Sequence, residues 1–128
     1  MKLQRIAMTL LLGLATALLS PTAGAAPSLK AKAEIATLIE LLGQSGCEFQ
    51  RNGSWYGAAQ ARAHLQRKYD YLLKKDQVDN AEQFIERAAS RSSVSGRVYR
   101  VRCGKVEQAS AAWFLGKLQR LRNAAGTR

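Results

Sequence analysis

Cys47-Glu48-Phe49-Gln50-Arg51-Asn52-Gly53-Ser54-Trp55-Tyr56 is the stretch whose reading decides the fold. From Cys47 onward apolar and polar residues alternate. Cys47 and Phe49 fall on one face and Glu48 and Gln50 on the other, the period-2 pattern of a strand with one buried side. Asn52-Gly53 follows, the pair that best tolerates the positive φ angles of a tight hairpin turn, and Ser54 to Tyr56 forms a short return. The only other cysteine, Cys103, ends a second alternating run from Val98, with Tyr99, Val101 and Cys103 on one face and Val98, Arg100 and Arg102 on the other. Pairing the two runs antiparallel with Cys47 beside Cys103 sets Phe49 against Val101 and Arg51 against Tyr99. The apolar side chains of both then share one face, as a single core requires. A slip of one residue would turn Cys103 to the polar face. A Cys47–Cys103 disulfide is therefore expected. It would close a long loop, worth ~4 kcal/mol on the chain-entropy model.

Helices flank this sheet in the sequence. Leu29 to about Gly43 carries Ala31, Ile35, Leu38, Ile39 and Leu42 on one stripe, with Ser28 as its cap and Gly43 and Gly46 as its stop. Gly57 starts a helix from Ala58 to Lys74, with Ala58, Ala61, Leu65, Tyr69 and Leu72 inward. Asp79-Asn80-Ala81-Glu82 reads as a capping box, Asp79 capping and Glu82 reaching back, for a helix from about Asn80 to Arg91. Ser90 to Gly96 is a loop by composition, and Gly104-Lys105 is a turn. The last helix is expected over Ser110 to Asn123, with Ala111, Phe114, Leu115, Leu118 and Leu121 inward. The class is α+β: a small two- or three-stranded antiparallel sheet packed with about four helices and stapled by one disulfide.

Residues 1–25 read as a leader. Lys2 and Arg5 open it, Ile6 to Leu19 is apolar and free of charge, and Ala23-Gly24-Ala25 is a small-x-small cleavage signal. The apolar run is shorter than the ~20 residues of a spanning helix. No cysteine follows the cleavage point, which excludes lipid attachment there. Residues 26–128 then form a single domain, periplasmic or secreted in a bacterium, and a paired cysteine suits that compartment. The leader contributes two cations and no acid, so most of the net charge of +11 belongs to the domain. That excess favours anionic partners. With one histidine in the chain and no metal-ligand spacing, neither a metal nor a cofactor is expected.

The polar candidates each have two readings. Asn52 is explained by the turn, whereas Arg51, at the strand's end near Tyr99, binds an anion or pairs with a carboxylate such as Glu48. His64 and Lys68 share a flank of the second helix. His64 is either a hydrogen-bonded structural residue or an acid–base group working with Ser92 or Ser93. Arg62, Arg67, Lys68, Arg97, Arg100 and Arg102 make a basic face, with Trp55 nearby as a stacking surface for a single-stranded nucleic acid. No named nucleic-acid motif accompanies it. Lys117, Arg120 and Arg122 read as a solvated face of the last helix.

Four segments carry a resemblance: Phe49-x-Arg51-Asn52-Gly53-x-x-Tyr56, Ala61-x-x-His64-Leu65-x-x-Lys68, Ala81-Glu82-x-Phe84-Ile85 and Ser90-x-Ser92-Ser93-x-x-Gly96-x-x-Tyr99. In order and spacing they resemble the YfeK-like family of small proteobacterial proteins with a signal peptide and no assigned function. The resemblance implies export and a shared fold, and singles out Arg51, Asn52, His64, Lys68, Ser92 and Ser93. Val98 stands where that family often has proline. The leading reading is a non-enzymatic periplasmic module that binds a protein or an anionic envelope component, with Arg100 and Arg102 on its binding face. The alternatives are a hydrolase-type enzyme using His64 and a loop serine, and a nucleic-acid-binding protein.

Overall fold

A computed structural model of the chain describes residues 13, 15–17 and 26–126. Apart from residues 13 and 15–17, the expected leader lies outside the described residues. No helix among the described residues is long and apolar enough to cross a membrane.

The elements run α1 (Leu29–Gln44), β1 (Glu48–Arg51), β2 (Ser54–Tyr56), α2 (Ala58–Lys74), α3 (Ala81–Ala88), β3 (Arg100–Cys103), β4 (Val106–Ala109) and α4 (Ser110–Gly126). The strands form one sheet in the order β2-β1-β3-β4, every neighbour antiparallel. The α+β class holds, but the sheet has four strands rather than two or three. The added strand, β4, is an edge strand. Val106 and Glu107 are both exposed, so it carries no one-sided apolar alternation for a period-2 reading to find.

β1 pairs β3 with Phe49 opposite Val101, flanked by Glu48–Arg102 and Gln50–Arg100, the register expected from the alternation. Cys47 and Cys103 are joined in a disulfide across a sequence separation of 56, their Cα atoms 4.4 Å apart. That is the spacing of a non-hydrogen-bonded antiparallel pair. β3 starts at Arg100 and not at Val98, because the backbone before it is used elsewhere. Val98 bridges Arg91, and the Tyr99 amide donates to the Ser90 carbonyl while its own carbonyl accepts from Ser110.

Phe49 and Val101 put one sheet face into the core, where they join Ile35, Leu38 and Leu42 of α1, Leu65 of α2 and Phe84 of α3. Edge-to-face aromatic contacts link Tyr69 to Phe84, Phe84 to Phe114 and Phe114 to Trp113, so α2, α3 and α4 meet through one row of rings. In α4 it is Trp113 that is buried, whereas Leu115 is 49% exposed, contrary to the inward stripe expected there. Ser28 caps α1 by accepting from the Ala31 amide. Gly43 lies inside α1 and does not end it. A Cβ there would come within 2.6 Å of the Arg62 side chain, so the glycine lets α2 approach, and the stop falls to Ser45 and to Gly46 at φ 68°.

The cap of α3 is shifted by one residue from the expected box. Asn80 accepts from the Gln83 amide, and the Gln83 side chain accepts from the Asp79 amide. Glu82 is drawn away by Arg122 of α4, which also grips Glu34 of α1. Arg122 thus fastens three helices and is no solvated cation. The last turn expected for α3 is also missing. The helix ends at Ala88, where the Ser90 hydroxyl donates back to the Ile85 carbonyl.

Candidate functional site

Asn52 and Gly53 take φ values of 50° and 84°, both left-handed, the backbone that a tight two-residue hairpin demands. The turn fixes Arg51 at the end of β1, above the flank of α2 that carries His64, Arg67 and Lys68. Arg51 Nη1 lies 2.7 Å from His64 Nδ1. A guanidinium can only donate, so Nδ1 accepts and the imidazole proton sits on Nε2. Nε2 in turn faces the Tyr99 hydroxyl at 3.4 Å. Lys68 Nζ donates to the same hydroxyl at 3.2 Å and to the Arg91 carbonyl at 3.1 Å. The Arg51 guanidinium also lies over the Tyr56 ring, 5.0 Å from its centroid.

Electrostatics follow from this crowding of donors. Burial first, then the charges of Arg51, Lys68 and Arg67, hold the His64 pKa down at about 4. Burial, with Arg51 adding to it, lowers that of Lys68. Burial raises that of Tyr99, with the Arg51 charge opposing. Among the described residues no carboxylate is bonded to Arg51, His64, Arg67 or Lys68, although Glu86 lines the wide hollow that His64, Arg67 and Lys68 share. Among the described residues, five of the nine acidic side chains, Glu34, Glu40, Glu48, Glu82 and Glu107, are held in ion pairs with Arg62, Arg100, Arg102 and Arg122. Also among the described residues, no group of three or more His, Cys, Asp or Glu could hold a metal ion.

Two hollows meet at this cluster. A small one of about 200 Å³ is lined by Phe49, Tyr56, Ala61, Ala63 and the side chain of Arg51. A wide one of about 1110 Å³ runs from Tyr71 and Gln77 on one side to the 91–96 loop on the other. His64 and Arg67 line both and form the ridge between them.

The remaining candidates divide. Ser92 and Ser93 line the wide hollow. The Ser92 hydroxyl, nearly buried, accepts from the Val94 and Ser95 amides, and Asn52 Oδ1 accepts from the Ser95 hydroxyl at 2.6 Å. The turn and the serine loop are thereby tied together. His64 makes its hydrogen bonds to Arg51 and Tyr99, and Ser92 makes its own within the loop. Arg100 and Arg102 stand on the other sheet face, paired with Glu107 at 2.7 Å and Glu48 at 3.0 Å. The Arg102 guanidinium covers the Trp55 ring at 4.0 Å. Arg62 is paired with Glu40. The basic face read along the sequence is therefore interrupted: among the described residues Arg67, Lys68 and Arg97 are its members outside any ion pair, Arg97 lying beside Gly53 and the other two near Arg51. Sequence reasoning placed Tyr99 in the core and missed it as the hydroxyl shared by His64 and Lys68. The register that set Arg51 against Tyr99 already contained that signal.

A family model described as a family of unknown function, DUF5329, matches residues 29–122. The chain is also similar to a curated relative, the uncharacterized protein YfeK of Salmonella typhimurium, with 35% identity over 69 residues. That alignment covers 53% of this chain and 56% of the relative, so the chain spans a little over half the length of the relative it matches. No solved structure matches.

Proposed function

We propose that this chain, which belongs to the DUF5329 family of unknown function, is a non-enzymatic binding module of the bacterial envelope that takes an anionic group at the Arg51–His64–Lys68–Arg67 cluster. One observation carries the reading: three cations flank a histidine held neutral, and among the described residues none of the three is in an ion pair. Like charges in a half-buried hollow repel, and a bound anion would replace that repulsion with charge-assisted hydrogen bonds. The disulfide and the leader-like start support residence in an oxidising compartment, periplasmic or secreted.

Binding is favoured over hydrolysis because His64 is committed at both ring nitrogens, and the Ser92 hydroxyl accepts hydrogen bonds from its own loop. A general base needs a free lone pair directed at the nucleophile's proton. Stacking of nucleic acid on Trp55 finds its ring covered by Arg102.

His64 is the single histidine of the chain, so its imidazole gives one unambiguous NMR probe. Titration with inorganic phosphate at neutral pH is expected to move that signal saturably, more weakly as salt rises, and not at all in an Arg51→Gln, Arg67→Gln double variant. A response that the double variant retains, or no saturable response, would end the reading.

A further inference from the structure

The geometry points to a phosphomonoester as the ligand, with the phosphate on the His64–Arg67 ridge and an apolar or aromatic group of the ester in the small hollow. The inference rests on the anion-binding reading above and goes on to name the chemistry.

The hydrogen-bond inventory sets the charge and polarity of the missing partner. His64 gives its Nε2 proton to the Tyr99 hydroxyl, and Lys68 gives a second proton to the same oxygen. Both acceptor positions of that oxygen are then used. Arg51 spends one of its N–H groups on His64. The cluster is thus made of donors in excess, with Arg51, Arg67 and Lys68 contributing three positive charges. A carboxylate would supply one negative charge and two oxygens. A phosphomonoester supplies close to two charges and three terminal oxygens, the better match to three cations.

The small hollow argues for an ester over free phosphate. Phe49 and Tyr56 give it two ring walls, and Ala61 and Ala63 of α2 floor it with methyl groups. At about 200 Å³ it admits one ring or a short alkyl group. Arg51, His64 and Arg67 all line this hollow, so a group seated there is covalently within reach of a phosphate held by both arginines. Any polar remainder has the wide hollow on the far side of His64.

Calorimetric titration of the protein with phenyl phosphate, inorganic phosphate and benzoate tests this. Phenyl phosphate is expected to bind about tenfold more tightly than either of the others, the gain expected from burying one small ring. In Ala63→Leu, whose added side chain fills the hollow from an exposed helix position, phenyl phosphate is expected to fall to the affinity of inorganic phosphate. An unchanged melting temperature would show that this variant is folded. Phenyl phosphate no tighter than inorganic phosphate, or an advantage that Ala63→Leu keeps, overturns the ester assignment and leaves anion binding standing. Benzoate as tight as phenyl phosphate overturns the phosphate. No binding of any of the three overturns both this inference and the reading beneath it. Phosphatidylcholine vesicles with and without phosphatidic acid separate the two sources of such a group. Retention by the phosphatidic acid vesicles, alongside phenyl phosphate binding, supports a lipid-borne phosphomonoester. Phenyl phosphate binding without retention supports a soluble one.

Discussion

Arg51 and His64 are locked as donor and acceptor: Nη1 of the one stands 2.7 Å from Nδ1 of the other. The imidazole cannot take a second proton without giving up this bond, since the new N–H would face a group that has only protons to offer. The hairpin turn, through Arg51, therefore adds to burial in keeping a residue on α2 neutral.

That lock makes stability depend on pH in a definite window. The folded His64 pKa of about 4 lies below its ordinary value of 6.5, so the unfolded chain takes up the proton first as pH falls. Stability is expected to drop between pH 6.5 and 4 and to level off, for this group, below that. After allowance for screening at a partly exposed ring, the loss between pH 7 and 5 is about 1 kcal/mol. Urea unfolding at the two pH values measures it, and His64→Gln should remove most of the difference. A wild-type protein equally stable at both would contradict the buried, cation-flanked histidine.

At Asn52 the backbone and the side chain have separable roles. The residue has φ 50°, which a Cβ-bearing residue other than Asn or Asp adopts at a cost, and its Oδ1 holds the Ser95 hydroxyl. Asn52→Ala should lose both, about 1–2 kcal/mol. Asn52→Gly should lose only the hydrogen bond and suffer roughly half as much. Thermal denaturation of the pair decides it: equal losses would mean that the left-handed backbone contributes nothing.

The disulfide joins the two middle strands of the sheet across a long stretch of chain. Replacing both Cys47 and Cys103 by alanine should cost about 2–4 kcal/mol of unfolding free energy. A thiol reductant should shift the wild-type denaturation midpoint to that of the variant and leave the variant untouched. A variant as stable as the oxidised wild type would remove the staple from the account of this fold.

The middle of the sheet was legible because its two strands bury one face. Phe49 and Val101 alternate with polar neighbours, and the cysteines fix the register that the alternation allows. α1 and α2 were legible for the same reason at helical period. β4 was not, because an edge strand with Val106 and Glu107 both exposed buries too little to pattern its sequence. The cap of α3 misled because Glu82 suits a capping box locally and loses to Arg122, a partner forty positions further along the chain.

In the candidate site the residue types were visible and their company was not. Arg51, His64 and Lys68 stood out as polar residues that a core does not need. Tyr99 passed for a core aromatic because its ring is one, buried against Phe49, while its hydroxyl reaches the cluster. The charge of Arg100 looked available until β4 brought Glu107 beside it, whereas that of Arg102 is met by Glu48 on β1. Ion-pair partners across strands depend on a register that a missed strand conceals.

Arg51, His64, Arg67, Lys68 and Tyr99 all fall between the two bonded cysteines, as does the whole 91–96 loop, so the cluster sits inside a covalent macrocycle from which α1 and α4 project as two open arms. A protease that clipped the exposed serine loop once would open this ring without dividing the molecule, because the sulfur bridge would still join the two pieces.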